Sequence, residues 1–77
     1  MQVQIVLFGQ LTDITGSHTL VLNGVADTNQ VVAAVNKLFP AMADVKYIIA
    51  VDKKQVQENT ALNETASVAL LPPFSGG

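Results

Sequence analysis

Alternating hydrophobic and polar positions open the chain and predict a β-strand over residues 2–8. Val3, Ile5 and Leu7 are the apolar members of QVQIVLF, and a period of two residues is that of one face of a strand. Residues 9–17 have glycines near both ends, so we expect a loop with room for one short helical turn. A second strand is predicted over residues 18–22. The chain therefore begins with a long-looped hairpin, which Asn23-Gly24 ends.

One amphipathic helix is predicted over residues 28–39. Asp27 is suited to cap its first turn, and Gln30 follows at the spacing of a capping box. The apolar residues after it lie at the spacing of one helical face: Val31, Val32, Val35, Leu38 and Phe39. Pro40 is expected to end the helix, because proline disfavours a helical conformation in the residue before it.

Three further strands complete the predicted fold. They lie at residues 47–51, at Gln55-Val56 as a short edge strand after a turn at Asp52-Lys53, and at residues 67–71. A single helix can cover one face of a sheet, so the order predicts an α+β fold of the β-grasp (ubiquitin-like) type, a mixed sheet packed on one main helix. We expect these helix and strand residues to be buried against each other: Val32, Val35 and Leu38 with Ile5, Val51 and Leu70. Residues 1–71 would form this domain, and residues 72–77 an extended tail.

The outer face of the predicted sheet is apolar near the ends of the first and last strands. If Val3, Ile5 and Leu7 face the helix, Val6 and Phe8 face away; Ala69 and Leu71 do so by the same alternation. Polar residues are usual on a sheet face in contact with water. Isolated exposed apolar residues are common, but Phe74 in the tail can extend this surface, so we favour a contact surface. The candidate partner-binding residues are Val6, Phe8, Leu71, Pro73, Phe74 and Ser75.

Composition and charge exclude several classes of function. The chain has 77 residues, enough for one domain, and no cysteine, which excludes disulfides and cysteine-ligated zinc. With one histidine, His18, we expect no metal site and no cofactor bound by the chain itself. The net charge of −2 and the scattered lysines argue against a nucleic-acid partner.

No membrane span or signal peptide is evident, so we expect a cytoplasmic protein without a membrane partner. Charged residues are 13%, against about 25% in an average domain, which favours exposed apolar surface and a permanent partner.

The last six residues, PPFSGG, hold the candidate chemistry. Pro72 and Pro73 cannot donate ladder hydrogen bonds, so they end the last strand and keep the chain extended. Gly76 and Gly77 have no side chains, so a narrow channel in another protein can accept them and receive the terminal carboxylate. Two terminal glycines arise by chance roughly once in 200 chains. The stiff Pro-Pro spacer before them makes the pattern much more specific.

No other residues form a catalytic group in the sequence. The carboxylates are dispersed among turns and caps, and His18 lies at a strand edge without an identifiable partner. Ser17 and Ser75 have no neighbouring base, and no glycine-rich phosphate loop is present. We therefore expect a chain that is not catalytic alone.

With this tail, the sequence resembles the small subunit of molybdopterin synthase, the MoaD-like branch of the ubiquitin-like sulfur carriers. The resemblance covers the whole chain and is carried mainly by VALLPPFSGG at residues 68–77, with weaker support from residues 3–9, 38–40 and 49–52. Two turns depart from the family pattern. Asp52-Lys53 stands where the family often has Asn-Gly, and Thr65-Ala66 where it often has Gly-Asp.

The resemblance implies a carrier mechanism centred on Gly77, with Gly76 beside it. A ubiquitin-activating-like adenylyltransferase would use ATP to adenylylate the Gly77 carboxylate, and a persulfide donor would convert it to a thiocarboxylate. The large, catalytic subunit of molybdopterin synthase would bind the tail. Two such sulfurs would turn cyclic pyranopterin monophosphate into the dithiolene of molybdopterin.

Three alternative functions stay open. The chain is also compatible with a sulfur carrier for thiamine thiazole or a thiolated nucleoside, although the thiazole carriers usually lack the Pro-Pro step. The second alternative is a ubiquitin-like modifier that is conjugated to lysines. The third is a non-catalytic interaction module with an inert tail. A neighbouring gene for a large subunit or a pyranopterin cyclase would favour molybdopterin synthase.

Overall fold

The computed structural model describes residues 2–73. Its elements are these, in chain order: β1 (Gln2–Leu7), α1 (Gln10–Thr15), β2 (Thr19–Asn23), α2 (Thr28–Leu38), a 3-10 helix (Pro40–Asp44), β3 (Ile48–Val51), β4 (Lys54–Val56) and β5 (Ser67–Leu71). The strands form one mixed sheet in the order β2-β1-β5-β3-β4. β1 and β5 pair in parallel at its centre, and every other pair is antiparallel. The predicted β-grasp fold is confirmed, with strand limits within one or two residues of the expected ones.

The hydrophobic core lies between the sheet and α2. Val3, Ile5 and Leu7 of β1 are buried, and so are Val68 and Leu70 of β5, so the predicted inward faces of both central strands are correct. Because β1 and β5 pair side by side, these residues form one continuous apolar layer. Val31 and Val35 of α2 are fully buried in the same core cluster.

The start of α2 follows the predicted cap closely. The Asp27 carboxylate accepts a hydrogen bond from the Gln30 backbone N–H at 2.9 Å. The Gln30 side chain accepts in turn from the Ala26 N–H at 2.7 Å, one residue before the position that a capping box uses. Two of the donors at the helix start are thus satisfied, and α2 begins where the pattern places it.

The end of α2 corrects the prediction for Leu38. This side chain was expected in the core but is 59% exposed, and Val32 is only partly buried. α2 ends at Leu38, and the backbone leaves the helical conformation at Phe39. Met42, in the 3-10 helix that follows, is buried in the core in its place.

The turn at Asp52-Lys53 connects β3 and β4 as a two-residue hairpin. Both residues have positive φ, 51° and 70°, the backbone conformation for which Asn-Gly is favoured. The Asp52 carboxylate accepts a hydrogen bond from the Ser67 N–H at 2.9 Å, and the Asp52 N–H donates to the Ser67 carbonyl at 2.8 Å. These two bonds tie the turn to the start of β5, so a sequence without glycine keeps the left-handed turn.

Candidate functional site

An apolar patch lies on the outer face of the sheet, opposite α2. The register places Ala69 of β5 beside Val6 of β1 and Ala50 of β3, and Leu71 beside Ile48. Phe8 continues β1, because its N–H donates to the Leu70 carbonyl at 3.1 Å. We call these residues the outer patch: Val6, Phe8, Ile48, Ala50, Ala69 and Leu71. Phe8 is 46% exposed and the other members are partly exposed.

Two members of the outer patch, Ile48 and Ala50, were not identified from the sequence. The register of β1 and β5 alone predicts Val6, Phe8, Ala69 and Leu71. Ile48 and Ala50 join them because β3 pairs with β5, which is distant in sequence, as well as with its neighbour β4. The sequence did contain a signal for them, because Ile48 and Ala50 alternate with Ile49 and Val51, which face the helix.

The tail leaves the domain beside this patch. β1 and β5 are parallel, so Phe8 and Leu71 lie at the same end of the sheet, and Pro72 follows Leu71 directly. Gly9 supports this exit. A Cβ atom at Gly9 would lie 2.6 Å from Cγ of Pro72, and Gly9 itself has a φ of 58°. The close approach of the Pro72 ring to the Gly9 backbone requires glycine here, and sequence reasoning had not singled out Gly9.

The structure brings some of the predicted site residues together. Val6, Phe8 and Leu71 share the outer patch, and Pro73 is exposed just beyond it. Phe74, Ser75, Gly76 and Gly77 lie outside the described residues. Their proposed roles therefore rest on the sequence pattern.

The other end of the same sheet face is polar. A groove of about 470 Å³ is lined there mainly by polar side chains, among them Gln2, Gln4 and Glu64. Ser67 stands where β5 begins, at the end remote from the tail. The outer face is thus divided, and its apolar half is the half adjoining the tail.

The other polar side chains of residues 2–73 form no candidate metal centre. Within that range no group of three or more His, Asp or Glu side chains is placed to hold a metal ion. His18 is exposed, and its backbone carbonyl accepts from the Leu7 N–H. No helix in the described part of the chain has the length and apolar character needed to cross a membrane.

Tyr47 is a partly buried titratable residue on the helix side of the sheet. Burial raises the pKa of its hydroxyl, since the charged phenolate is poorly solvated there. The hydroxyl oxygen is buried and has no hydrogen-bond partner among the described residues. Tyr47 packs against the core on the helix side, away from the outer patch. The raised pKa therefore results from core packing and is unrelated to the candidate site.

Comparisons with known proteins agree with this architecture. The sequence model of the ThiS family matches residues 5–77. SAMP1 from Haloferax volcanii is similar in structure, with 21% identity, full coverage of both chains and a TM-score of 0.80. A putative molybdopterin converting factor, subunit 1, from Pyrococcus furiosus has 16% identity over 96% of this chain and 99% of its own, with a TM-score of 0.82.

A third similar structure contains two proteins. It is the complex of subunits 1 and 2 of the molybdopterin-converting factor from Helicobacter pylori, matched at 22% identity over the whole of both chains with a TM-score of 0.73. Identities this low establish a shared fold. Among curated proteins, none matches the sequence.

Proposed function

This chain belongs to the ThiS family of ubiquitin-like sulfur carriers, and from that premise we propose that it carries sulfur as a thiocarboxylate on Gly77 for a molybdopterin synthase. It acts in the cytoplasm as the small subunit of that enzyme. The chain binds no cofactor itself, and ATP is consumed by the adenylyltransferase that activates it.

The observation that carries this proposal is the position of the outer patch beside the tail exit. A partner that covers Phe8 and Leu71 is already in contact with the chain where Pro72 leaves the sheet. The same partner can then receive the tail in a channel. One binding event then supplies both contact area and delivery of the terminal carboxylate. The activating enzyme and the large subunit would use this surface in turn.

The chemistry requires activation, because a free carboxylate is a poor acyl donor. The Gly77 carboxylate attacks the α-phosphate of ATP, giving an acyl-adenylate and releasing pyrophosphate. The terminal sulfur of a persulfide attacks the acyl carbon and AMP leaves. The product is an acyl disulfide that keeps the S–S bond of the persulfide. A second thiol attacks the donor's sulfur in that bond, which forms a disulfide with the donor and releases the Gly77 thiocarboxylate. Its sulfur is the nucleophile offered to cyclic pyranopterin monophosphate, with the catalytic groups supplied by the large subunit.

Deleting Gly77 tests the proposal. The deletion moves the reacting carbon by about 3.5 Å, and a displacement of even 1 Å can cost on the order of 100-fold in rate. With activating enzyme, ATP and a sulfur donor, intact-mass spectrometry should show one oxygen exchanged for sulfur in the full chain. The deletion variant should show no exchange.

Adding one residue after Gly77 is the matched control for length. It should abolish the exchange in the same way, while circular dichroism shows both variants folded. Synthesis of molybdopterin at the full rate by the deletion variant would refute the carrier role.

A protein modifier is the second candidate function. The likeness to SAMP1 is as close in TM-score as the likeness to the molybdopterin converting factor, so the fold is compatible with both. The two roles differ in the acceptor of the activated Gly77. Conjugation forms an amide bond to a lysine, which leaves residues 55–77 as a branched remnant on that lysine after trypsin digestion, because Lys54 is the last basic residue of the chain. A sulfur carrier, for molybdopterin or for a thiazole or nucleoside product, leaves no such remnant and yields a thiocarboxylate.

A further inference from the structure

The two edges of the sheet differ in their protection against pairing with other strands. β4 forms one edge, is only three residues long and begins at a Lys53-Lys54 pair. β2 forms the other edge, and no Asp, Glu, Lys or Arg occurs from residue 14 to residue 26. Short length and lysines are common devices that keep an edge strand unpaired. β2 has neither.

The backbone of β2 leaves hydrogen-bonding groups free along this edge. The Leu7 N–H donates to the His18 carbonyl at 2.8 Å, and this bond sets the phase of the antiparallel ladder. Residues opposite each other alternate in bonding, so Leu20 and Leu22 are the members of β2 that bond to β1. The N–H and C=O groups of Thr19, Val21 and Asn23 therefore point away from the sheet.

Val21 is the centre of this free edge. Its side chain is 54% exposed on the outer face. Across residues 2–73, no hydrogen bond from another element reaches the backbone of Val21 or Asn23. The Thr19 carbonyl accepts one bond, from the Ser17 hydroxyl at 2.8 Å, and retains a second lone pair.

We propose that β2 pairs in antiparallel fashion with β2 of a second copy of this chain, around a two-fold axis at Val21. The segment TLVLN has the same pattern of polarity in both directions. In this register Thr19 lies opposite Asn23, Leu20 opposite Leu22, and Val21 opposite its own copy. The outward N–H and C=O of each Val21 bond to those of the other, and no like charges meet. This symmetry favours a second copy over an unrelated strand.

The pairing is compatible with the carrier role but independent of it. It uses the edge of the sheet, whereas Phe8 and Leu71 lie on its outer face, so the outer patch stays uncovered. Contact through one five-residue strand per copy is far smaller than a standard interface of about 1,600 Å². The dimer is therefore weak and forms at high protein concentration.

Hydrogen exchange of the full chain over a concentration series tests the proposal. The amide of Val21 should exchange more slowly as concentration rises, because it becomes bonded in the dimer. The amides of Leu20 and Leu22 are bonded to β1 in both states and should stay unchanged. Sedimentation equilibrium should show a monomer–dimer equilibrium over the same range.

Val21→Lys should abolish the dimer, because it places two like charges together at the two-fold axis. Unchanged protection of Leu20 and Leu22 shows that this variant is folded. Gln55→Lys is the matched control, since Gln55 is exposed on the opposite edge strand and should leave the dimer intact.

Three results would overturn the proposal. The first is a wild-type chain that stays monomeric at the highest soluble concentration. The second is a dimer that survives Val21→Lys or is lost in Phe8→Asp, which would place self-association on the outer patch. The third is a monomeric chain whose binding to a large subunit is weakened by Val21→Lys, which would show that the edge accepts a strand of that partner.

Discussion

At the scale of single residues, Gly9 is the point where the segment that follows β1 packs against Pro72, the first residue of the tail. Its φ of 58° is in the region that L-residues avoid, and its missing side chain leaves the space that Pro72 occupies. Gly16 has a similar φ of 72°, but no atom lies within 4 Å of the position that its Cβ would take. A comparison of substitutions at Gly9 and Gly16 therefore separates the effect of backbone strain from the effect of contact with Pro72.

Gly9→Ala should therefore destabilise the protein more than Gly16→Ala. Both substitutions carry the strain of positive φ, about 1–2 kcal/mol, and only Gly9→Ala also displaces Pro72. Urea unfolding measures the difference in free energy of unfolding. We further expect Gly9→Ala, and not Gly16→Ala, to slow activation of Gly77 in folded protein. Equal losses of stability in the two variants would show that the Gly9–Pro72 contact contributes nothing.

Tyr47 makes stability depend on pH at the alkaline end. Burial raises the pKa of its hydroxyl in the folded state above the ordinary value of about 10. As pH rises above that value, the unfolded chain loses this proton first, so the free energy of unfolding falls. Below about pH 9 this contribution is fully present.

Tyr47→Phe should remove this alkaline loss. The variant should be as stable as the wild type or slightly more stable near neutral pH, since the deleted hydroxyl is buried without a partner. Urea unfolding at about pH 8 and about pH 11 measures the change. The two proteins differ only at residue 47, so the difference between their pH dependences isolates Tyr47. A parallel decline in both would contradict the assignment.

At the scale of elements, the loop before β5 holds the start of α2 in place. The Asn59 side-chain carbonyl accepts from the Asn29 N–H at 2.9 Å and from the Thr28 hydroxyl at 3.3 Å. The same Thr28 hydroxyl accepts from the Thr60 N–H at 2.9 Å. A second cap, supplied from about thirty residues away, thus supplements the local cap of Asp27.

Asn59→Ala should destabilise the fold by about 1–2 kcal/mol, the usual cost of losing a helix cap. The loss arises because the Asn29 N–H no longer has its acceptor. Chemical denaturation measures it, and hydrogen exchange should show faster opening at the start of α2. Glu58→Ala is the control, as Glu58 is exposed beside Asn59 and contributes only a backbone carbonyl to the described hydrogen bonds. Equal effects of the two substitutions would contradict the capping role.

At the scale of the whole molecule, the parallel pairing of β1 and β5 decides which residues lie at the same end of the sheet. It places Phe8, Leu71 and the root of the tail at one end of the sheet. The polar groove around Gln4 lies at the other end. The apolar part of this face therefore adjoins the point where Pro72 leaves the sheet.

Phe8→Asp should leave the domain folded and weaken binding to a large synthase subunit. Aromatic anchors at the centre of an interface are worth about 2 kcal/mol or more, and Phe8 is the most exposed large residue of the outer patch. Titration calorimetry with the large subunit measures the loss. Leu38→Asp is the matched control, because Leu38 is exposed on α2, on the opposite side of the sheet. Equal binding by the two variants would exclude the outer patch as the contact surface.

The sequence by itself determined the features that depend on near neighbours. Four such features follow from residues a few positions apart, and the structure confirms each of them. They are the alternation in β1 and β5, the Asp27 cap, the end of α2 before Pro40 and the end of β5 before Pro72. The order of these elements was sufficient for the β-grasp fold, because one helix can bury only one sheet face. The role of Gly77 stays a prediction from the same local pattern.

Only the tertiary structure decided which distant residues meet. Met42 takes the core position expected of Leu38, Ile48 and Ala50 join the outer patch, Asn59 caps α2, and Gly9 makes room for Pro72. Each of these depends on the order of strands or the path of a loop. Such contacts join residues far apart in the chain, and periodicity within a single segment carries no information about them.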